Sequence, residues 1–358
     1  MIPESINLPR EVFSGYWSGS KSQGALHCQG IAVDTQRKYM YFSFTTMLIK
    51  TDLEGNFIGS VTGLMGHLGC IDFNDRDGRV WGSLEYKNDQ IGRNILKRIG
   101  AADKQIEDAF YIVMFDVDKI DRPNMDATAD GVMKSVYLAD PVRDFKAKAV
   151  NQGREVDHRY GVSGIDGTTF GPMPGSNDGK QYLFVACGIY GDVERTDNDH
   201  QIILCYDTSD WEEIAQPLNQ DNMHHVGPEH ATHRFYVKTG NTTWGVQNLE
   251  YDPYSGHFIM AVYRGKKEQY PNDVIYLIDG TKAPVWGKLD GVEPEEEGEL
   301  LSLYGSGWTY DQGTTGLHAF GDGYYYVSYK ESNILKGECS RVRLCKWDGK
   351  GPLALVEE

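Results

Sequence analysis

A short strand signature occurs five times in this chain of 358 residues and constrains the fold more than any other feature. The copies are residues 29–34, 69–74, 163–168, 247–252 and 315–320. The third position of each copy is Ile or Leu, and the fourth reads Ala32, Asp72, Asp166, Glu250 and His318. A repeated apolar position is expected of a folded core. A repeated ionisable position inside a strand indicates a shared site.

Further strand patterns follow each signature and predict the architecture. Runs rich in aromatic and β-branched residues are typical of strands. Second strands are predicted at 40–45, 79–86, 181–190, 257–265 and 324–332, and fourth strands at 57–62, 134–139, 212–218, 284–289 and 353–357. Each third strand ends just before an aspartate that can open a turn, namely Asp52, Asp116, Asp207, Asp279 and Asp348.

Four strands per unit, repeated five times, predict an all-β fold, a five-bladed β-propeller with four antiparallel strands per blade. We expect a single domain over residues 1–358, with blades at about 24–64, 65–140, 158–220, 240–290 and 310–358. The inserted loops are predicted at 87–108, where isoleucine spacing indicates a short helix, and at 140–160 and 216–239. A β-sandwich with a second domain, the alternative, would not explain why both the signature and the aspartate turn recur.

The strong negative charge limits the classes of partner. The net charge is −17 at pH 7, and such a field repels nucleic acids and anionic membrane surfaces. No apolar run reaches the roughly 18 residues that span a bilayer. No leader is visible, and the six cysteines form no CxxC pair. We therefore expect buried, unpaired cysteines and a cytoplasmic protein, although a chain whose secretion signal had been trimmed would look the same.

The four ionisable residues of the repeated position are predicted to meet. In a propeller the first strand of each blade lies nearest the axis, so Asp72, Asp166, Glu250 and His318 should converge toward one end of the central channel. Burying carboxyl groups together raises some of their pKa values unless donors or a cation compensate. Such a group can serve acid and base catalysis, hold a divalent cation, or close the channel as a hydrogen-bonded polar plug.

Polar residues that flank the same strands predict a pocket for a hydroxyl-rich ligand. Aromatic residues such as Trp244 and Tyr263 could stack on a sugar ring. The candidate ligand-binding residues are His27, Gln29, His67, Glu85, Ser163, Gln247, Arg264, Thr315 and His318.

Five units with the order Asp72, Asp166, Glu250, His318 resemble the five-bladed propeller glycoside hydrolases, both the arabinanase and β-xylosidase group and the invertase and levansucrase group. The resemblance implies that Asp72 is the general base, that Asp166 orients and modulates, and that Glu250 is the general acid. It also implies that His318 lies beside a metal or water on the axis. From the ligand types the expected cation is Ca²⁺ first, with Mn²⁺ or Zn²⁺ as alternatives. The first repeat differs, since Ala32 stands where the family places its first carboxylate.

The sequence therefore predicts a glycoside hydrolase-like enzyme that acts on a sugar or oligosaccharide in an axial pocket. One alternative is a non-catalytic ligand-binding or scaffold propeller with a polar axial plug. Another is a metal-dependent phosphoester or nucleotide hydrolase. The chain contains no GxSxG, GxGxxG or HExxH motif, so neither a serine hydrolase elbow nor a nucleotide cofactor is indicated. The expected partner is a small molecule or oligosaccharide, and the sequence does not indicate an oligomeric state.

Overall fold

A computed structural model describes residues 2–18, 27–348 and 351–357. In these ranges the backbone forms five mainly antiparallel sheets arranged as the blades of a five-bladed β-propeller, together with one separate two-stranded hairpin. The predicted fold class is thus confirmed. Residues 24–26 of the first predicted blade, residues 349–350 and 358 of the last, and residue 1 lie outside the described ranges.

All five signature segments overlap the innermost strands of the blades. These strands are Cys28–Val33, His67–Asn74, Val162–Pro172, Thr243–Asp252 and Leu317–Ala319. The third position of the signature is apolar and buried in every blade, and it packs in the apolar clusters between the sheets. Its residues are Ile31, Ile71, Ile165, Leu249 and Leu317. Burial of these side chains supplies a large apolar contribution to the stability of the ring.

The second and third strands follow the prediction closely. The second strands are Tyr39–Phe44, Arg79–Tyr86, Gln181–Ile189, His257–Tyr263 and Tyr324–Asn333. The third strands are Met47–Asp52, Ala109–Phe115, His200–Tyr206, Ile275–Ile278 and Gly337–Lys346. Each pairs antiparallel with its predecessor in its own sheet.

The outer strands show where local patterns failed. The fourth strands of the first two blades, Phe57–Thr62 and Met133–Tyr137, lie where they were expected. In the third blade the predicted strand 212–218 is wrong, because Trp211–Ile214 is a helix and the fourth strand is His233–Lys238. Trp211 stacks on Trp81 at a ring distance of 5.8 Å, and burial of that indole outweighs the strand propensity of the segment.

The fourth blade has three strands in the described ranges, so its predicted fourth strand at 284–289 is also wrong. The segment Val285–Lys288 instead pairs with Glu297–Leu300, which joins the edge strand of the third blade. The side chain of Leu289 is buried in the cluster beneath that blade. A strand pattern in the sequence does not specify which strand it pairs with. Here the segment adds to the third blade instead of the fourth.

The ring is closed in the fifth blade by both ends of the chain. Glu11–Phe13 pairs antiparallel with Gly337–Lys346, with Val12 opposite Val342. The short C-terminal strand Ala354–Leu355 pairs with the same partner. Val12 and Val342 are fully buried, so their contact joins the N-terminal segment to the last blade.

The insertions contain two helices and a separate hairpin. Helix α1, Gln90–Arg98, follows an N-cap in which Asp89 accepts from the backbone of Gly92. The crossing between the second and third blades contains helix α2, Ala139–Lys146, and the hairpin Lys148–Asn151 with Arg154–Asp157. Short parallel pairing adds Met125–Asp126 to the first blade.

Two further expectations can be compared with the described part of the chain. All six cysteines are buried and unpaired, as the sequence predicted. None of the helices there has the length and the apolar character that crossing a bilayer requires.

Candidate active site

A layer of small polar groups fills the centre of the ring. The Cys70 thiol lies 3.4 Å from Asn248 Oδ1, and Asn248 Nδ2 donates to the carbonyl oxygens of Gln29 at 2.9 Å and Thr314 at 3.0 Å. Both Cys70 and Asn248 are almost fully buried. They occupy the second signature position, so the repeated strands place a plug between the two ends of the axis.

The two ends of the axis carry different groups because each inner strand runs along the axis. On the inner strand of the second blade, His67 lines a cavity on one side of the plug. Asp72 follows five residues later on that strand, which corresponds to roughly 15 Å of extended chain. The start and the end of the signature therefore face opposite ends of the propeller.

The predicted quartet divides between these two ends. Asp72, Glu250 and His318 come together, with one potential ligand atom of each within 4.8 Å of the others. Asp166 does not join them, and that part of the prediction is wrong. A bulge between Ile165 and Thr168 inserts an extra residue in the third inner strand, which turns the Asp166 side chain toward the other end.

The cavity beside Asp166 has a volume of about 660 Å³ and lies between the inner strands and helix α1. This volume suits a ligand the size of a mono- or disaccharide. The predicted ligand-binding residues that line it are His27, Gln29, His67, Glu85, Ser163 and Gln247. The other three predicted ligand-binding residues do not line the cavity. Arg264 bonds Thr309 at the surface, Thr315 is buried against Ser328, and His318 lies at the opposite end.

A buried ion pair holds the carboxylate of Glu85 in the cavity wall. Lys87 Nζ lies 2.6 Å from Glu85 Oε1 and also donates to the carbonyl of Ser163 at 2.8 Å. The second oxygen, Oε2, accepts from the backbone of Ile165 at 2.9 Å. Burial raises the pKa of Glu85, and the charge of Lys87 opposes that rise. The carboxylate is thus fixed in orientation on the cavity floor.

Gly164 is required for that arrangement. Its φ of +149° lies in a region that residues with a Cβ rarely adopt. A Cβ at this position would stand 1.7 Å from Glu85 Oε2. The second signature position is therefore small in the third blade because the Glu85 carboxylate approaches the backbone there.

Asp166 is the second carboxyl group of the cavity. Its Oδ1 accepts from the backbone of Cys70 at 3.1 Å, and its Oδ2 has no hydrogen-bond partner among the described residues. Burial raises the pKa of Asp166 well above its usual range, and the nearby negative charge of Glu85 adds to the rise. Asp166 is therefore protonated under conditions in which an exposed aspartate is ionised.

Two histidines line the same cavity in neutral form. Gln29 Nε2 donates to His27 Nε2 at 2.9 Å, which places the His27 proton on Nδ1. Burial, the charge of Lys87 and the neighbouring His27 lower the pKa of His67 to about 3. His67 Nδ1 is buried without a hydrogen-bond partner, 3.7 Å from Glu85 Oε1. This nitrogen therefore faces the Glu85 carboxylate inside the cavity wall.

Sequence reasoning missed several residues of the cavity. Lys87, Arg98 and Glu338 all line it. Lys87 follows Glu85 by two residues, so strand periodicity could have placed both on one face. Ile91 is one of the isoleucines that indicated helix α1. Arg98 follows it by seven residues, so the same helical spacing could have placed both on one face. No local signal identifies Glu338, which reaches the cavity from the long hairpin of the fifth blade.

An aromatic side chain stands at the cavity in a strained conformation. Trp244 has a φ of +68° and an exposed fraction of 36%, and it contacts Tyr190 edge to face at 5.6 Å. Tyr263 also lines the cavity. A tryptophan in the left-handed region persists only where the surroundings impose it, and such strain often marks a binding site.

At the opposite end, Asp72 is held by three donors. The backbone N–H groups of Phe73 and Phe170 lie 2.7 and 2.8 Å from its oxygens, and the Thr169 hydroxyl lies 3.1 Å away. Burial still raises the pKa of Asp72 to about 6. Burial and the charge of Asp72 raise the pKa of Glu250 well above its usual range.

The donor set at this end fits a divalent cation. Glu250 Oε1 accepts from Ala319 at 2.6 Å, and His318 Nδ1 lies 3.5 Å from the same oxygen. That nitrogen is buried and has no hydrogen-bond partner. Burial lowers the pKa of His318 to about 3, so the imidazole is neutral and able to ligate. Two carboxylates and one neutral imidazole are ligand types that divalent metals accept.

Comparisons with known proteins give no family for the chain. No family model matches it, and no curated protein matches it. One similar solved structure is a protein of unknown function from Bacteroides caccae, at 9% identity and a TM-score of 0.32, with 77% of this chain and 86% of that one covered. Another is the holo form of the pyranose dehydrogenase PQQ domain from Coprinopsis cinerea, at 11% identity and a TM-score of 0.34, with 88% and 81% covered. The five-bladed propeller architecture is supported, and these comparisons give no evidence for the expected resemblance to glycoside hydrolases.

Proposed function

We propose that the protein is a glycoside hydrolase-like enzyme that acts on a sugar or short oligosaccharide in the axial cavity. The observation that carries this proposal is the pair of buried carboxyl groups in the cavity wall, Asp166 and Glu85, which differ in their surroundings. Among the described residues no cation pairs with Asp166, whereas Glu85 is paired with Lys87. Carboxyl groups with such different environments can divide the roles of acid and base.

Asp166 is the proposed general acid. Its raised pKa keeps the proton that the leaving oxygen of a glycosidic bond must receive. The hydrogen bond from Cys70 holds Oδ1 in place, so the carboxyl group needs little reorganisation when the proton leaves. Lys87 lowers the pKa of Asp166 slightly through its charge, and it can stabilise the carboxylate after proton transfer.

Glu85 is the proposed ionised partner. The Lys87 ammonium and the Ile165 N–H both favour its carboxylate form. In a glycosidase such a carboxylate acts either as a base that activates water or as a nucleophile. His67 and the Trp244 indole supply a hydrogen-bond partner and an apolar face beside the sugar.

This assignment changes the roles that the family resemblance implied. Asp72 and Glu250 lie beyond the Cys70–Asn248 plug and do not line the cavity. The catalytic roles expected for them are therefore not part of the proposal. Asp166, expected to act as a modulator, becomes the acid because the strand bulge brings it into the cavity.

Full engagement of Glu85 by Lys87 and Ile165 favours a second candidate, a non-catalytic sugar-binding propeller. Asp166→Asn separates the two candidates, because asparagine keeps the shape and cannot donate an acidic proton. An enzyme loses turnover of aryl glycosides and keeps its ligand affinity. A binding protein shows no turnover in either form. Proton NMR of the first-formed anomer then reports inversion or retention.

A cation at the opposite end is part of the same proposal. Asp72, Glu250 and His318 would hold it, with Ca²⁺ favoured by the oxygen ligands and Mn²⁺ or Zn²⁺ by the imidazole. When bound, the cation would supply the positive charge that two adjacent carboxylates lack. Metal analysis of the purified protein and melting curves with and without a chelator test this part.

A further inference from the structure

Most charged side chains that line the cavity have an ion-pair partner. Lys87 lies 2.6 Å from Glu85, and Glu338 lies 2.8 Å from Lys330. Asp166 carries a proton over the range in which an exposed aspartate is ionised. Arg98 is the charged residue of this lining that has no ion-pair partner among the described residues.

The guanidinium of Arg98 is free to accept a ligand. It has no hydrogen bond, ion pair or aromatic contact with any described residue, and its side chain is exposed at the cavity. This chain carries 52 acidic and 35 basic residues. The position of Arg98 in the last turn of helix α1 favours a cation, but in such an excess of carboxylates the absence of an ion-pair partner for this guanidinium leaves it available at the cavity.

Helix α1 places Arg98 at the cavity. Ile91, Ile95 and Arg98 are spaced four and three residues apart, which places them on one face of the helix. All three line the cavity. The Arg98 charge also acts on His27 on the facing wall, whose pKa is lowered by burial first and by Lys330 and Arg98 in addition. The guanidinium thus lies within electrostatic range of His27.

The surroundings favour a singly charged anion. A guanidinium presents a planar pair of donors that matches a carboxylate. Arg98 is the last residue of helix α1, where the helix dipole is negative. That end of a helix disfavours a doubly charged phosphate, which binds at N-terminal ends. The single guanidinium therefore fits a carboxylate better than a phosphate.

We propose that Arg98 binds a carboxylate of the substrate, so that the sugar in the cavity is a uronic acid or a uronate-containing oligosaccharide. This inference rests on the proposed function, since it names the substrate class of the same cavity. The carboxylate would attract the ligand to one mouth of a protein whose overall field repels anions. Neutral sugars would lack this contact and bind more weakly.

The test uses matched neutral and acidic probes. Methyl glucopyranoside and methyl galactopyranoside are compared with the corresponding methyl uronides by isothermal titration calorimetry. A bidentate pair with a charged group predicts about tenfold to hundredfold tighter binding of a uronide. Arg98→Ala removes the preference, and Arg98→Lys restores part of it, because lysine keeps the charge without the planar fork.

Lys97→Ala is the matched control. Lys97 is the adjacent residue on the same helical turn and does not line the cavity. It removes the same unit of charge, so a general electrostatic effect would appear equally in both variants. Equal melting temperatures of the wild type and Arg98→Ala exclude a folding defect.

The outcomes separate this inference from the proposed function. If neutral and acidic probes bind equally, or if Arg98→Ala and Lys97→Ala reduce uronide binding alike, the role of Arg98 is overturned and the sugar site stands. If none of the four probes binds, both proposals are overturned. A uronide preference that only Arg98→Ala removes, and that weakens with added salt, supports the inference.

Discussion

The two ends of the propeller axis carry similar residue types in different surroundings. At the cavity end, the carboxylate of Glu85 is balanced by Lys87, and the adjacent Asp166 faces a cavity of about 660 Å³. At the opposite end, Asp72 and Glu250 lie close together with a neutral His318 and no lysine in the group. The first arrangement separates the roles of two carboxyl groups, whereas the second calls for a shared proton or a cation. The same repeated strand thus places two carboxyl groups in unlike surroundings at one end and a candidate cation site at the other.

The largest effect is expected from Asp166→Asn. Loss of a general acid lowers the turnover number by about 10²- to 10⁴-fold. Glycoside turnover is measured for this variant and for Glu250→Gln, which makes the same chemical change at the other end of the axis. Glu250→Gln should leave turnover nearly unchanged. Equal losses in the two variants would remove the functional difference between the ends.

The pH dependence sharpens the same difference. A general acid works only while protonated, so turnover should fall about tenfold per pH unit above the raised pKa of Asp166. The contribution of Asp166 to the free energy of unfolding also decreases as the pH rises. The folded pKa lies above the unfolded value near 3.9, so the contribution of Asp166 to the unfolding free energy is complete below about pH 4. It is lost as the pH rises through the folded pKa.

Urea unfolding from pH 4 to 9 and the pH–rate profile measure both quantities. Asp166→Asn is the control, and its unfolding free energy should depend less on pH than that of the wild type. Identical slopes in the two proteins would show that Asp166 has no raised pKa.

Gly164→Ala tests whether the cavity end depends on close backbone approach. The new Cβ would meet Glu85 Oε2 at 1.7 Å, so we expect a loss of roughly 3 kcal/mol of stability together with loss of ligand binding. Gly78→Ala is the control, since Gly78 has a φ of +68° with no atom within 4 Å of its would-be Cβ. It should cost about 1–2 kcal/mol and leave binding intact. Comparable effects of both variants would mean that only backbone strain matters.

Cation removal tests the opposite end. A cation present at 100 times its dissociation constant stabilises a fold by about 2.7 kcal/mol. A chelator should therefore lower the melting temperature of the wild type, and Ca²⁺, Mn²⁺ or Zn²⁺ should restore it. Glu250→Gln should be insensitive to both treatments. If neither chelator nor added metal changes the melting temperature of the wild type, no cation is bound there, and Asp72 and Glu250 share a proton instead.

The smallest effect is expected from Trp244→Ala. Stacking of a sugar on an indole contributes about 1 kcal/mol to binding, which is roughly a fivefold change in affinity. Trp286→Ala is the control, because Trp286 is 66% exposed and lies outside the cavity. An unchanged sugar affinity in Trp244→Ala would show that the strained indole has no part in binding.

Much of the architecture was predictable, because strand periodicity and turn residues are local signals. The five inner strands, the second and third strands and helix α1 all appear where the sequence placed them. The errors lie in the outer strands. His233–Lys238 was assigned to a loop, and the partner of Val285–Lys288 was assigned to the wrong blade. Edge pairing depends on contacts between segments distant in the chain, which no local pattern records.

The candidate site was partly predictable for the same reason. His27 and His67 each stand two residues before a copy of the signature, so they occupy equivalent positions in two repeats. The structure places both in one cavity. The position of Asp166 was not predictable, because an extra residue in one strand reverses the direction of its side chain. Glu338 reaches the cavity from the end of the chain that closes the ring.

The sequence by itself determined the five-fold repeat, the apolar position that packs between blades, and the ionisable position that follows it. Each of these is a local pattern with a period set by the geometry of a strand. Only the tertiary structure decided which end of the axis each ionisable group faces, which lysine or arginine stands beside it, and where the cavity opens. Those outcomes depend on a bulge, on pairing between distant strands and on burial, and the charge state of a carboxyl group follows from them rather than from its neighbours in sequence.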